Sequence, residues 1–302
     1  MTDLWGWEEA ARDLGEAEPA GDGETSSKPR DERVPDQPGR DAARPAERLT
    51  DEARFVIGTL TRLPVPAPAQ LDSRTAGRGL QWAPLVGAAL GLASGLPLFV
   101  FPVDLLARLL SATIVVALAA WLTRGLHWDG LADLADGLGS GAPAERARAI
   151  MKRSDIGPFG VLVMTLVLLM QVLCLAQLPA TTPAYAGWVL AMALGRFGLV
   201  AACGPWGRAA SADGLGALVV GSVSRAGVLL AAGSALAVGA LAAGLGPLPA
   251  TFAMLWAPAA ALATAGGVGL LARRRLDGLT GDVLGAIVEL ATLAALVTLV
   301  LR

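Results

Sequence analysis

The chain carries little charge. Of its 302 residues only 17% are Asp, Glu, Lys or Arg, whereas 54% are hydrophobic, and that balance excludes an ordinary water-soluble domain. Histidine occurs once, at His127, and cysteine twice, at Cys174 and Cys203. Both cysteines lie within apolar runs, which excludes a disulfide framework and a Cys/His zinc spacing and leaves each as a small buried hydrophobe. Aromatic residues make up only 5%, while glycine numbers 37. A mixture of Ala, Leu, Val and Gly suits helices that approach one another closely in a bilayer.

The charge that is present is unevenly placed. Residues 1–50 hold 13 of the 26 acids and 7 of the 24 basic residues, leaving 13 acids against 17 bases, a net of +4, in residues 51–302. The first segment is rich in Pro, Gly, Glu and Asp and poor in Val, Ile and Phe, so it buries too little apolar surface to offset the entropy of ordering. It is expected to be a disordered acidic tail. No apolar stretch with a basic flank opens it, so a cleaved secretory signal is not expected.

Crossing about 30 Å of hydrocarbon takes roughly 20 apolar residues of helix. About seven runs meet this: Pro84–Val103, Leu105–Leu122, Phe159–Leu178, Ala184–Cys203, Ala226–Leu245, Thr251–Ala272 and Val283–Leu301. The expected fold is therefore all-α, a polytopic integral membrane helical bundle of about seven spans following the tail, with 51–302 as the membrane-embedded domain. Basic residues are retained in cytoplasmic loops. With the N-terminus inside, the cytoplasmic segments collect Arg62, Arg124, Arg148, Lys152, Arg153 and Arg273 to Arg275, and the opposite loops show Asp104 as their only charge. The same topology puts every acidic motif from Asp129 to Asp282 on the cytoplasmic side.

The densest motif is His127-Trp128-Asp129-Gly130-Leu131-Ala132-Asp133-Leu134-Ala135-Asp136-Gly137. Its carboxylates stand at i, i+4 and i+7, which aligns them on one helix face. Aligned carboxylates repel unless a cation lies between them. Hard oxygen ligands suit Mg²⁺, which keeps positions open for water and phosphate; the alternative is a solvated acidic face. A second motif, Asp277-Gly278-Leu279-Thr280-Gly281-Asp282, precedes the last span, where Thr280 and Gly281 supply either a plain helix cap or N–H groups for a phosphate. Glu289 lies within that span and Arg196 within the fourth, and ionisable groups inside a membrane are functional candidates. Arg62, Lys152, Arg153 and Arg196 are the cations available to neutralise a phosphoryl group. His127 is either a proton acceptor or a structural hydrogen-bond donor.

From about Phe55 onward the chain resembles the cobalamin synthase family, adenosylcobinamide-GDP ribazoletransferase. The likeness rests on Thr61-Arg62-Leu63-Pro64-Val65-Pro66, the His127 to Gly137 run, Met151 to Gly157, and Thr280-Gly281-Asp282-Val283-Leu284-Gly285-Ala286 leading to Glu289-Leu290. One block departs from the family pattern: Met151-Lys152-Arg153-Ser154-Asp155-Ile156-Gly157 exchanges the expected order of acid and base.

The resemblance implies a Mg²⁺-dependent enzyme of cobalamin biosynthesis in the cytoplasmic (inner) membrane, with its site facing the cytoplasm. It would transfer the cobinamide phosphate of adenosylcobinamide-GDP to α-ribazole or α-ribazole 5′-phosphate and release GMP. Asp129 and Asp133 are then expected as metal ligands, Asp136 as a third ligand or base, and Asp282 as a further carboxylate. His127, Arg196 and Glu289 are expected to act in catalysis, and Arg62, Lys152, Arg153, Thr280 and Gly281 in substrate binding. Expected partners are corrinoid and nucleoside substrates, membrane lipid, further copies of the chain and other cobalamin-assembly enzymes, but no nucleic acid. The rival readings are a CDP-alcohol-type membrane phosphotransferase, whose Asp-Gly pattern Leu131-Ala132-Asp133 does not match, and a small-solute transporter, for which no internal repeat is found.

Overall fold

The computed structural model describes residues 49–100, 104–178, 182–244 and 250–301. The expected acidic tail falls outside these residues except for its last two. The described part of the membrane unit is helical throughout, in chain order α1 (Asp51–Leu60), α2 (Ser73–Leu80), α3 (Ala83–Ser94), a 3₁₀ turn (Leu96–Phe99), α4 (Leu105–Leu122), α5 (Leu126–Gly139), α6 (Ala144–Met151), α7 (Pro158–Gln177), α8 (Thr182–Ala202), α9 (Gly214–Val219), α10 (Arg225–Gly244), α11 (Ala250–Leu276) and α12 (Gly281–Val300). No strand is formed among them; one parallel bridge joins Ala209 to Leu279.

Five of these helices, α4, α7, α8, α10 and α12, are long and apolar enough to cross a bilayer, making this a multi-pass membrane protein. The expectation of about seven spans is adjusted at two places. The run from Pro84 ends as helix at Ser94 and continues as the short 3₁₀ turn, so α3 has only 12 residues. The run from Thr251 lies in α11, a 27-residue helix that contains Pro258 and ends in Arg273, Arg274 and Arg275.

Helix α8 is the centre of the bundle, with 89% of its apolar window buried against the other helices. Small residues make this possible, because without a hydrophobic drive between helices close backbone approach supplies the packing. On α3 and at its C-cap, Gly87, Gly91 and Gly95 recur every fourth residue, and a Cβ at each would strike Met192, Val189 and Tyr185 of α8 respectively. On the other side, Gly195 and Gly198 of α8 leave room for Val288, Thr292 and Ala291 of α12. Both pairings run antiparallel.

The two ends of the bundle are tied separately. At one end Arg148 Nη1 donates to the Leu276 carbonyl at 2.7 Å, the Arg62 amide donates to the Leu122 carbonyl at 2.8 Å, and Leu279 pairs with the 208–210 strand-like segment. At the other end Tyr185 donates to the Leu92 carbonyl and Arg108 to the Leu178 carbonyl. The acidic motifs all belong to the first end. The break between α4 and α5 passes through Arg124 and Gly125 at φ 58° and 69°, two successive left-handed residues that end one helix before the next begins.

Candidate active site

The site is built where α5 crosses α12. Glycine again sets the separation: a Cβ on Gly130 would stand 2.8 Å from the Asp282 carbonyl oxygen, and one on Gly285 would stand 3.2 Å from His127 Cα. The crossing brings Asp129 and Asp133 of α5 beside Asp282 in the first turn of α12. Asp129 is exposed, and Asp133 and Asp282 are half-buried. Partial burial, and then the charges of Asp129, Asp282 and Asp136, push the Asp133 carboxyl up to about 7. Lys152, at the end of α6, lies close enough to Asp282 for their charges to interact. Among the described residues no three His, Cys, Asp or Glu side chains form a ready metal cage. Mg²⁺ asks for less, one or two carboxylates with the remaining positions held by water and phosphate. A repelling group of three carboxylates at a polar helix end fits it.

Asp136, expected as a third ligand or base, is turned elsewhere. Its Oδ2 accepts from the Gly157 N–H at 2.7 Å and its Oδ1 from the Gly160 N–H at 2.9 Å, so the carboxylate is engaged by the start of α7. Thr280 is the N-cap of α12: its hydroxyl accepts from the Val283 N–H and donates to Asp282, both at 3.3 Å. Gly281 opens the helix, and Gly216 of α9 lies against both residues. The preceding turn needs Gly278, whose φ of 158° lets it pass Ala209 and Ala210 where a Cβ would stand 2.6 Å from backbone.

The three other expected cations lie in three different places. Arg153 forms a two-pronged pair with Asp155 at 3.0 and 2.9 Å, so the exchanged acid and base are joined in an exposed ion pair. Arg62 lies over the Trp121 ring, 3.7 Å from its centroid, and not among the carboxylates. Arg196 is buried in α8.

Around Arg196 the structure collects a second, internal group. Arg196 Nη2 is 3.5 Å from His127 Nδ1, and that nitrogen is 3.9 Å from Glu289 Oε1. Gln171 of α7 donates from Nε2 to Glu289 Oε2 at 3.0 Å. All four side chains are buried, at 1–6% exposure, and none opens on the acidic mouth. Burial, and next the Arg196 charge, hold the His127 imidazole well below its ordinary pKa, so it is neutral and its contact with Glu289 is dipolar. Along α12, Glu289 lies seven residues below Asp282, about 10 Å at 1.5 Å per residue. The three residues expected in catalysis thus sit together behind the acidic group. Gln171 was not foreseen, although an amide in a run as apolar as Pro158–Gln177 is itself a signal of a buried partner.

Fold and site together define a multi-pass helical membrane protein with carboxylates and a lysine gathered at one end of the bundle. Residues 52–300 match the family described as cobalamin-5-phosphate synthase, and the chain belongs to that family. A protein of Frankia casuarinae named adenosylcobinamide-GDP ribazoletransferase is 39% identical over 268 residues, which cover 82% of this chain and 94% of that protein. Proteins of the same name from Nocardioides sp. and Citrobacter koseri are each 36% identical over 251 residues, covering 82% and 81% of this chain and 97% of each relative. No solved structure matches the chain.

Proposed function

We propose that this protein is an adenosylcobinamide-GDP ribazoletransferase that joins the nucleotide loop of cobalamin at the cytoplasmic face of the inner membrane. A hydroxyl of α-ribazole, or of its 5′-phosphate, attacks the phosphorus attached to cobinamide. An O–P bond forms, the diphosphate bridge breaks, and GMP leaves with the bridging oxygen. The observation that carries this reading is the meeting of Asp129, Asp133 and Asp282 at the α5–α12 crossing in a chain of this family.

Asp129, Asp133 and Asp282 would hold Mg²⁺, one or two of them directly. When bound, the ion would neutralise charge on the diphosphate oxygens. Lys152 adds a cation beside Asp282 for the phosphate that develops negative charge. The attacking hydroxyl must lose its proton, and whichever of the three carboxylates stays off the ion can accept it. His127, Arg196, Glu289 and Gln171 keep α5, α7, α8 and α12 in register behind the mouth.

The test is an assay of purified, reconstituted protein with adenosylcobinamide-GDP, α-ribazole and Mg²⁺, following GMP and cobalamin. Cation-dependent product that disappears in Asp133→Asn supports the reading. Well-folded protein that forms no product with either form of α-ribazole overturns it.

A further inference from the structure

We propose that Asp136 is a positioning residue: it ties the start of α7 to α5 and thereby holds the 152–156 loop, with Lys152, beside the acidic mouth. The part played by Lys152 rests on the function proposed above; the tie does not.

Helix α7 begins with Gly157 as its N-cap, a residue with no side chain to offer its open N–H groups. Asp136, on a neighbouring helix, takes that place, with one oxygen on the Gly157 N–H and the other on the Gly160 N–H. A negative group at a helix N-terminus also meets the positive end of the helix dipole. The fit excludes side chains: a Cβ on Gly157 or on Gly160 would lie 2.4 Å from an Asp136 oxygen.

The next residue of α5 pins the other end of the loop. Gly137 faces Met151, whose side chain is 3% exposed and comes within 2.6 Å of where a Cβ on Gly137 would stand. Between these adjacent pins, residues 152–156 are all exposed, and the Arg153–Asp155 pair stiffens them from within. Lys152 follows Met151 directly, so its place relative to Asp282 is set by a short loop closed at both ends. Releasing the loop by a substitution at Gly157 leaves the charges of Asp129, Asp133, Asp136 and Asp282 in place.

Trypsin reads the tie independently of catalysis, because Lys152 and Arg153 are themselves cleavage sites. In the purified full-length protein, Asp136→Asn and Gly157→Ala are each expected to speed cleavage after Lys152 and Arg153 by about tenfold, as local opening does, and to leave cleavage after Arg208 unchanged. Gly157 has a φ of −89°, which alanine adopts freely, so that variant disturbs the carboxylate contact and not the backbone. In the transfer assay KM for adenosylcobinamide-GDP should rise in both variants, with the Mg²⁺ concentration for half-activation unchanged in Gly157→Ala, which keeps the Asp136 charge. In a Lys152→Met background the further effect of Asp136→Asn on KM should largely disappear, the signature of two residues acting as one unit. Unchanged cleavage at the loop in both variants overturns the tie, as does equal acceleration at Arg208, which would mean general loosening. A large shift in Mg²⁺ half-activation without faster cleavage would make Asp136 a metal ligand instead. If the native protein shows no transfer, the proposed function fails while the proteolysis still decides the tie.

Discussion

At the scale of single residues, the acidic face separates into groups that a helical wheel cannot tell apart. Asp129, Asp133 and Asp136 share one side of α5, yet they rise about 10 Å along its axis from first to last. Asp129 and Asp133 reach the start of α12, and Asp136 reaches the start of α7. Spacing therefore disclosed the face, and the neighbours at each height set what each carboxylate meets. The raised pKa of Asp133 carries a pH prediction. The folded protein keeps its proton up to about pH 7, whereas the unfolded chain releases it near 3.8, so stability of the cation-free protein falls as pH rises across that window. Activity should run the other way, falling about tenfold per pH unit below the midpoint. Raising Mg²⁺ should move that midpoint to lower pH, because a cation favours the carboxylate. Asp133→Asn should remove the acidic limb and lower kcat by about 10²-fold or more, measured as GMP release.

Between elements, the α5–α12 crossing governs the site. Gly130→Ala sets a methyl against the Asp282 backbone, which side-chain movement cannot relieve. We expect a loss of about 1–3 kcal/mol, read from thermal unfolding in detergent, and a lower kcat as Asp282 is pushed from Asp129. Behind the crossing, Arg196 and Glu289 compensate each other in a buried setting, with Gln171 and His127 completing the group. Glu289→Ala should cost about 3–5 kcal/mol because it strands the Arg196 charge. Adding Arg196→Met should recover part of that loss, which the same unfolding experiment measures. Arg196 and Glu289 could be picked from the sequence as charges in apolar runs. Their grouping with His127 could not, since it joins helices α5, α8 and α12 across 162 residues of chain from His127 to Glu289.

Across the whole molecule, charge and contacts sort the loops alike. Arg148, Leu276, Arg208 and Leu279 are joined at the end that bears the acids, while Arg108, Leu178 and Tyr185 meet at the other. In a cysteine-free background, Ser154→Cys should be labelled from the cytoplasm and Asp104→Cys from the opposite side by a membrane-impermeant maleimide. Labelling of both from one side would refute the orientation. Deleting residues 1–45 should leave transfer activity intact, because the site and the family match both lie beyond that segment. Loss of activity in a stably inserted truncation would contradict this.

Class of protein, most helical spans, the clustering of acidic motifs and the family were legible in the chain alone, because hydrophobic length, charge placement and local motifs are properties of neighbouring residues. The sequence did not disclose that the first apolar run breaks as helix at Ser94, or that the Asp136 carboxylate, expected as a third ligand or base, meets the start of α7. The packing of separate helices set which carboxylates meet, which cations are already paired, and that His127, Arg196 and Glu289 are grouped in the interior. Those are distances between residues far apart in the chain, set by glycine contacts that bring separate helices to within backbone reach.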